Sequence, residues 1–160
     1  MQMKMRGALR FLLGYVLSSA ISGCANPDKE LTRELLSLPV EQRAQALSKF
    51  PAEKQLDLYM YAYNRMEPPV ILAGEVARNW QTTLPVIKSR ISTEKSDHLL
   101  AGLMMILSAM SSQYCSLAKR DDVLAVASQA VSKIGPPYRD LARKQLNEIR
   151  HPENQLPSCR

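Results

Sequence analysis

The sequence predicts an all-α fold of six to seven short amphipathic helices arranged as antiparallel hairpins. Along most of the chain, apolar residues recur at spacings of three and four, which is the period of a helix with one buried face. Strand-like alternation occurs only in LYMYAYNR, residues 58–65, and the sequence offers no second segment of similar character to pair with it. Prolines precede several apolar stretches. A proline at the first helical position loses no hydrogen bond and stops the helix before it, so each such proline marks a boundary.

The first half of the chain divides at its prolines. Asp28 is a candidate N-cap for a first helix that carries Leu31 and Leu35 on one face. Further helices are expected to open at Pro39, Pro51, Pro68–Pro69 and Pro85.

Other signals bound the later helices. Ser92–Asp97 supplies capping side chains for the most apolar helix, over 99–110, which is expected to be central. Asp121–Asp122 is expected to cap the following helix, and Gly135 to end it. A last helix then runs to His151.

A short sequence word occurs twice. Leu38-Pro39-Val40 and Leu84-Pro85-Val86 are 46 residues apart, and each is expected to open a short helix. Paired helices with this period are typical of HEAT-type repeats, which the chain weakly resembles, and the resemblance implies an α-solenoid. An irregular helical bundle accounts for the same pattern, so both arrangements stay open.

Residues 1–23 have the layout of a secretory signal. Lys4, Arg6 and Arg10 occur without an acidic residue and precede a mostly apolar run, Phe11–Ile21. That run is too short for a transmembrane helix, which needs roughly 20 apolar residues. The predicted organisation is a signal peptide over 1–23, an anchoring cysteine and tether over 24–28, one helical domain over 29–151 and a tail over 152–160.

The end of this signal carries a further motif. Ile21-Ser22-Gly23-Cys24 resembles the lipobox of bacterial lipoproteins, in which the cysteine becomes the lipidated first residue of the mature chain. The resemblance implies that Cys24 is acylated and anchors the protein to a membrane. Ala25 replaces the aspartate associated with inner-membrane retention, which implies the periplasmic face of the outer membrane. The alternative is an ordinary signal cleavage, with Cys24 an incidental thiol.

Composition limits the classes of partner that are expected for this chain. Without residues 1–23, the chain has 137 residues, enough for one domain, and its formal net charge falls from +6 to +3. A nucleic-acid-binding protein usually has a denser basic stripe, so no nucleic-acid partner is expected. Cys115 and Cys159 remain, and two cysteines in an oxidising compartment predict a disulfide that ties the tail to the domain. Alternatively, Cys115 is a buried apolar residue and Cys159 a free thiol.

The sequence contains no convincing catalytic motif. His98 and His151 stand in no metal-ligand spacing, so no metal site is predicted. The Gly-x-Ser-x-Gly elbow of serine hydrolases is missing, and two Ser-x-x-Lys words, at 92–95 and 116–119, lack their companion motifs. We therefore expect neither enzyme activity nor a cofactor.

The helix after Pro51 carries a candidate binding face. A helical period turns Tyr59 and Tyr63 toward the core and places Leu58 on the outer face. Trp80, on the apolar stripe of the next helix, is expected to be core. Tyrosine and arginine are enriched at binding hot spots, because each buries a large area and keeps a polar group. The predicted partner-binding residues are Tyr61, Arg65 and Arg78.

These expectations favour a non-enzymatic lipoprotein that binds a protein partner. In size, location and architecture the chain is similar to immunity lipoproteins paired with secreted toxins, which implies a protein that covers the toxin's active cleft. One alternative is an accessory lipoprotein of a secretion or envelope-assembly machine. Another is a small envelope enzyme, for which Glu94, Asp97 and His98 would have to face a deep cleft.

Overall fold

The computed structural model describes residues 26–65, 72–154 and 159. These residues form eight α-helices and no strand, which confirms the all-α prediction and shows that six to seven helices was too few. The helices are α1 (Pro27–Ser37), α2 (Val40–Leu47), α3 (Ala52–Arg65), α4 (Ala73–Arg78), α5 (Trp80–Thr93), α6 (Asp97–Gln113), α7 (Asp121–Lys133) and α8 (Arg139–Arg150). Two 3₁₀ turns cover Cys115–Lys119 and Pro152–Asn154.

Helix α6 is the centre of the core, as its composition predicts. It packs against α4, α5, α7 and α8, and its small and apolar side chains are buried on most of its circumference. Ser96 caps its N-terminus, because the hydroxyl of Ser96 accepts a hydrogen bond from the backbone N–H of Leu99. None of the helices in the described ranges combines the length and the apolar character needed to cross a membrane.

The N-terminus of the domain differs from the prediction. Helix α1 begins at Pro27, inside the predicted tether, and its cap is Asn26 rather than Asp28. The Asn26 side chain accepts from the backbone N–H of Asp28, which satisfies one of the free donors of the first turn. The Asp28 carboxylate instead forms an ion pair with Lys54 of α3. This pair joins the first turn of α1 to the first turn of α3.

The region around Pro85 also differs. Pro39 and Pro51 precede α2 and α3 as expected, but Pro85 lies inside α5, which begins at Trp80. A turn at Asn79 separates α5 from the short α4, and this extra break is one reason for the underestimated helix count. Leu84-Pro85-Val86 therefore opens no helix, and the repeat interpretation loses its second copy. Pro68–Pro69 lies outside the described residues.

Helix α7 lacks the predicted aspartate cap. Its N-cap position is Arg120, whose guanidinium has no acceptor for a capping bond, and the Asp122 carboxylate pairs with Lys88 and Arg120. The last turn of α7 is anchored elsewhere: the Lys133 ammonium donates to the carbonyl oxygens of Ile91 and Ser92, each at 2.7 Å. These bonds satisfy carbonyls at the C-terminus of α5.

The predicted tail is joined to the domain. Cys115 and Cys159 form a disulfide, with their Cα atoms 5.4 Å apart. Residues 152–154 already form a 3₁₀ turn in which Pro152 is buried, so ordered structure continues past the predicted boundary at His151. The choice between a solenoid and an irregular bundle stays a prediction.

Candidate partner-binding surface

Aromatic and arginine side chains meet where α4, α5 and the 3₁₀ turn after α6 come together. The rings of Trp80 and Tyr114 are tilted against each other with centroids 6.2 Å apart, and the Arg120 guanidinium lies 5.5 Å from the Trp80 ring centroid. The Tyr114 hydroxyl lies 3.4 Å from the carbonyl oxygen of Arg78. We call Arg78, Trp80, Tyr114 and Arg120 the Trp80 cluster. Trp80 is half-buried there and packs against the hydrophobic core, so the prediction that it is a core residue is confirmed only in part.

An ion pair with Asp122 holds Arg120 of this cluster in place. Two guanidinium nitrogens of Arg120, Nε and Nη2, donate to the two carboxylate oxygens of Asp122 at 3.0 and 2.9 Å. Lys88 donates to the same carboxylate at 2.5 Å. The hydrogen bonds from Arg120 and Lys88 lower the pKa of Asp122 well below its usual range. Asp122 is therefore ionised at neutral pH. Its bidentate ion pair with Arg120 restricts the rotation of the guanidinium above Trp80.

The disulfide lies directly beside the cluster. Cys115 follows Tyr114 and begins the 3₁₀ turn whose last residue, Lys119, precedes Arg120. Tyr114 thus precedes this turn directly, and Arg120 follows it directly. A cross-link within the turn restricts both.

An apolar groove lies between α1 and α2. Its volume is about 460 Å³, within the range of ligand-sized pockets. A partly buried path connects it to the Trp80 cluster: the Gln55 amide donates to the carbonyl of Phe50, and the Gln55 oxygen accepts from Asn79, between Arg78 and Trp80. The apolar residues that line the groove are Leu31, Leu35, Leu38, Ala46 and Phe50.

The predicted binding residues do not form one patch. Tyr61 and Arg65 line a common hollow of about 300 Å³, as their spacing on α3 predicts. Arg78 lies next to Asn79, whose side chain donates a hydrogen bond to Gln55. Gln55 is ten residues, or about 15 Å along the axis of α3, from Arg65. Arg78 therefore belongs to the Trp80 cluster and not to the hollow. Leu58 is fully buried, so its prediction as an outer-face residue was wrong.

Glu94, Asp97 and His98 serve the local structure. Glu94 accepts from the backbone N–H groups of Lys95 and Ser96, and the Asp97 carboxylate accepts from the backbone N–H of Gly135 at 2.9 Å. These contacts stabilise the entry to α6 and the connection after α7.

The His98 ring is packed between two tyrosines. It stacks on Tyr63 with centroids 4.5 Å apart and tilts against Tyr138 at 5.4 Å. Burial, with a smaller effect of Tyr138, raises the pKa of Tyr63, so that tyrosine stays neutral at physiological pH. Among the residues that the structure describes, no group of three or more histidine, cysteine or acidic side chains is arranged to hold a metal ion.

Comparison with known proteins adds no family assignment. No protein-family model, curated protein or solved structure matches this chain. The candidate surface therefore rests on its own geometry.

The sequence did not indicate two members of the Trp80 cluster. Tyr114 and Arg120 follow the most apolar helix, in a segment without strong periodicity. A usable signal was present in Tyr114-Cys115: a disulfide predicted at Cys115 fixes the surface around it, and an adjacent aromatic residue is then a candidate binding residue.

Proposed function

We propose that this protein is a lipid-anchored lipoprotein of the outer membrane, facing the periplasm, that binds a protein partner through the Trp80 cluster. In its most specific form, the proposal is that this chain is an immunity protein, which neutralises a secreted toxin by covering the toxin's active cleft. The observation that carries the proposal is the arrangement of Trp80, Tyr114 and Arg120 at one surface, beside the Arg78 backbone and restrained by an ion pair and a disulfide.

The residue types fit a protein interface. Tryptophan, tyrosine and arginine dominate binding hot spots, and such residues bind most tightly when little side-chain freedom is lost on association. Asp122 already fixes Arg120, and the turn that carries Tyr114 is cross-linked. The neighbouring α1–α2 groove offers apolar side chains of the partner a place to bind.

The mechanism is steric. The binding face acts by occupying the partner's surface. A rigid face excludes a toxin's substrate when its anchors insert into or beside the cleft, and a few buried anchors supply most of the affinity.

Capture and neutralisation together test this function. Membranes are solubilised, the protein is captured with whatever binds it stoichiometrically, and the captured partner is directed to the periplasm of cells that express variants of this chain. We expect the wild type to restore growth, and Arg78→Glu combined with Arg120→Glu to abolish protection. Arg143→Glu, an exposed arginine of α8, is the matched control and should protect fully.

Two results would contradict the proposal. A partner that is harmless in the periplasm, recovered in several copies as part of an envelope machine, would support the accessory-lipoprotein alternative. Equal protection by the double variant and the control would remove the Trp80 cluster from the interface.

A further inference from the structure

The hollow beside Tyr61 and Arg65 is adjacent to the predicted anchor. Asn26, the cap of α1, is one of its lining residues, so the start of α1 lies beside the part of α3 that carries Tyr61 and Arg65. Cys24 precedes Asn26 by two residues. Two residues of fully extended chain span only about 7 Å. A lipid attached at Cys24 would therefore hold this end of the domain at the leaflet surface.

The charges of the hollow suit a phospholipid surface. Its two acidic residues are both paired: Asp28 with Lys54, and Asp57 with Arg90 at 2.6 Å. Pairing offsets the repulsion that these carboxylates would exert on phosphate groups. Arg65, at the end of α3, is exposed.

The side chains also have the right character. Tyrosine is enriched at membrane–water interfaces, where its ring meets the acyl boundary and its hydroxyl stays hydrated. Arginine keeps its charged head among the headgroups while its stem contacts apolar surface, and its guanidinium matches phosphate oxygens. Tyr61 is half-buried beside Met60, which gives the hollow an apolar wall.

We propose that this hollow is a lipid-contacting face: phospholipid headgroups of the leaflet occupy it, with Arg65 on a phosphate and Tyr61 at the acyl boundary. The inference rests on the proposed acylation of Cys24. Asn79, next to Trp80, bonds Gln55, which is about 15 Å along α3 from Arg65, so we expect the Trp80 cluster to lie away from the leaflet, where a partner can reach it.

Tryptophan fluorescence tests this orientation, because Trp80 is the single tryptophan of the chain. The chain from Cys24 onward, which contains every described helix, is placed in phosphatidylethanolamine–phosphatidylglycerol vesicles containing lipids brominated in the upper acyl chain, which quench on contact. We expect Tyr61→Trp combined with Trp80→Phe to lose most of its emission, and wild-type Trp80 to keep its emission. If Tyr61→Trp does not fold, Asn64→Trp in the same background replaces it, since Asn64 is exposed and lines the same hollow.

A charge variant provides a second readout. Removing one arginine weakens the contact of a protein with an anionic membrane surface by about fivefold. Arg65→Gln should therefore lower, by this factor, the ratio of chains whose hollow contacts the leaflet to chains whose hollow does not. Arg143→Gln, on α8, should leave it unchanged. Quenching of Trp80 that equals or exceeds quenching at position 61 overturns the proposal, and so does indifference to Arg65→Gln.

Failure of this proposal can be separated from failure of the lipoprotein function. Cys24 is coupled to a synthetic maleimide lipid, so orientation is measured whether or not cells acylate it, while Cys115 and Cys159 are protected by their disulfide. Absence of palmitate incorporation in cells would contradict the proposed anchoring. Wrong orientation of the chemically anchored chain would contradict only the lipid-contacting face.

Discussion

Breaking the Cys115–Cys159 disulfide should destabilise the domain and disturb the Trp80 cluster together. The bridge joins residues 44 apart. Closing a loop of this size removes chain entropy from the unfolded state that is equivalent to about 4 kcal/mol of folding free energy at 25 °C. For a domain of this size, that loss corresponds to a fall in Tm of roughly 10–15 °C. Because Tyr114 precedes Cys115 and packs on Trp80, the environment of the tryptophan should change as well.

The measurement compares urea unfolding of the wild type with that of Cys115→Ala combined with Cys159→Ala. Both are made in a Cys24→Ser background, so that no third thiol can exchange. Emission of Trp80 is followed before unfolding and through the transition. The wild type treated with a reductant is the matched control, because it loses the bridge without losing a side chain.

Three results would each refute part of this reasoning. Free thiols at Cys115 and Cys159 in the oxidised protein would show that the bridge does not form. A loss of stability below about 1 kcal/mol would show that the unfolded chain gains little freedom when the bridge is absent, contrary to the loop-entropy estimate. Unchanged Trp80 emission in the folded, reduced protein would separate the disulfide from the cluster.

Three further substitutions test the packing. Tyr59→Phe removes a buried hydrogen bond of 2.8 Å to the carbonyl of Gly102 and should cost about 1 kcal/mol in urea unfolding. Burial raises the pKa of Tyr59 in the folded protein. The free energy of unfolding of the wild type should therefore fall above pH 10, where this tyrosine deprotonates only in the unfolded chain. The fall should be shallower in Tyr59→Phe, which lacks this hydroxyl. Gly102→Ala should lose about 1 kcal/mol, because the added Cβ would lie 3.0 Å from ring carbons of Tyr63, and helix propensity offsets only part of that overpacking. Lys133→Met should lower stability by about 1 kcal/mol through two lost carbonyl contacts, whereas Lys144→Met, 4.0 Å from its nearest carboxylate, should change little.

Local sequence signals predict the helices whose ends are capped locally. The Ser96 hydroxyl and the apolar run behind it define α6 without help from the rest of the chain. Pro85 does not define a helix start in this way, because a proline is favourable at the first helical position but also occurs within a helix at a cost in stability. The start of α5 at Trp80 is accompanied by contacts with Tyr114 and Arg120, which are far away in sequence. A local pattern contains no information on those contacts.

The same limit applies to the surfaces. Tyr61 and Arg65 share a helix face, and their spacing alone predicts that they lie together. The proximity of Asn26 to both depends on the packing of α1 on α3. The separation of Arg78 from both depends on the packing of α4 near the start of α3. Long-range packing therefore decides which predicted residues form one surface.

Helix α3 links the two proposed surfaces mechanically. Its 14 residues extend about 21 Å, with Gln55 near the Trp80 cluster and Arg65 in the hollow. A helix packed along this length does not bend easily, so a tilt of the domain at one end reorients the other end. With a tether of two residues, the leaflet would restrict that tilt and reduce the orientational freedom that a partner has to remove on binding. Arg65 could then influence partner capture at the membrane without touching the partner, whereas Arg120 would contribute by contact.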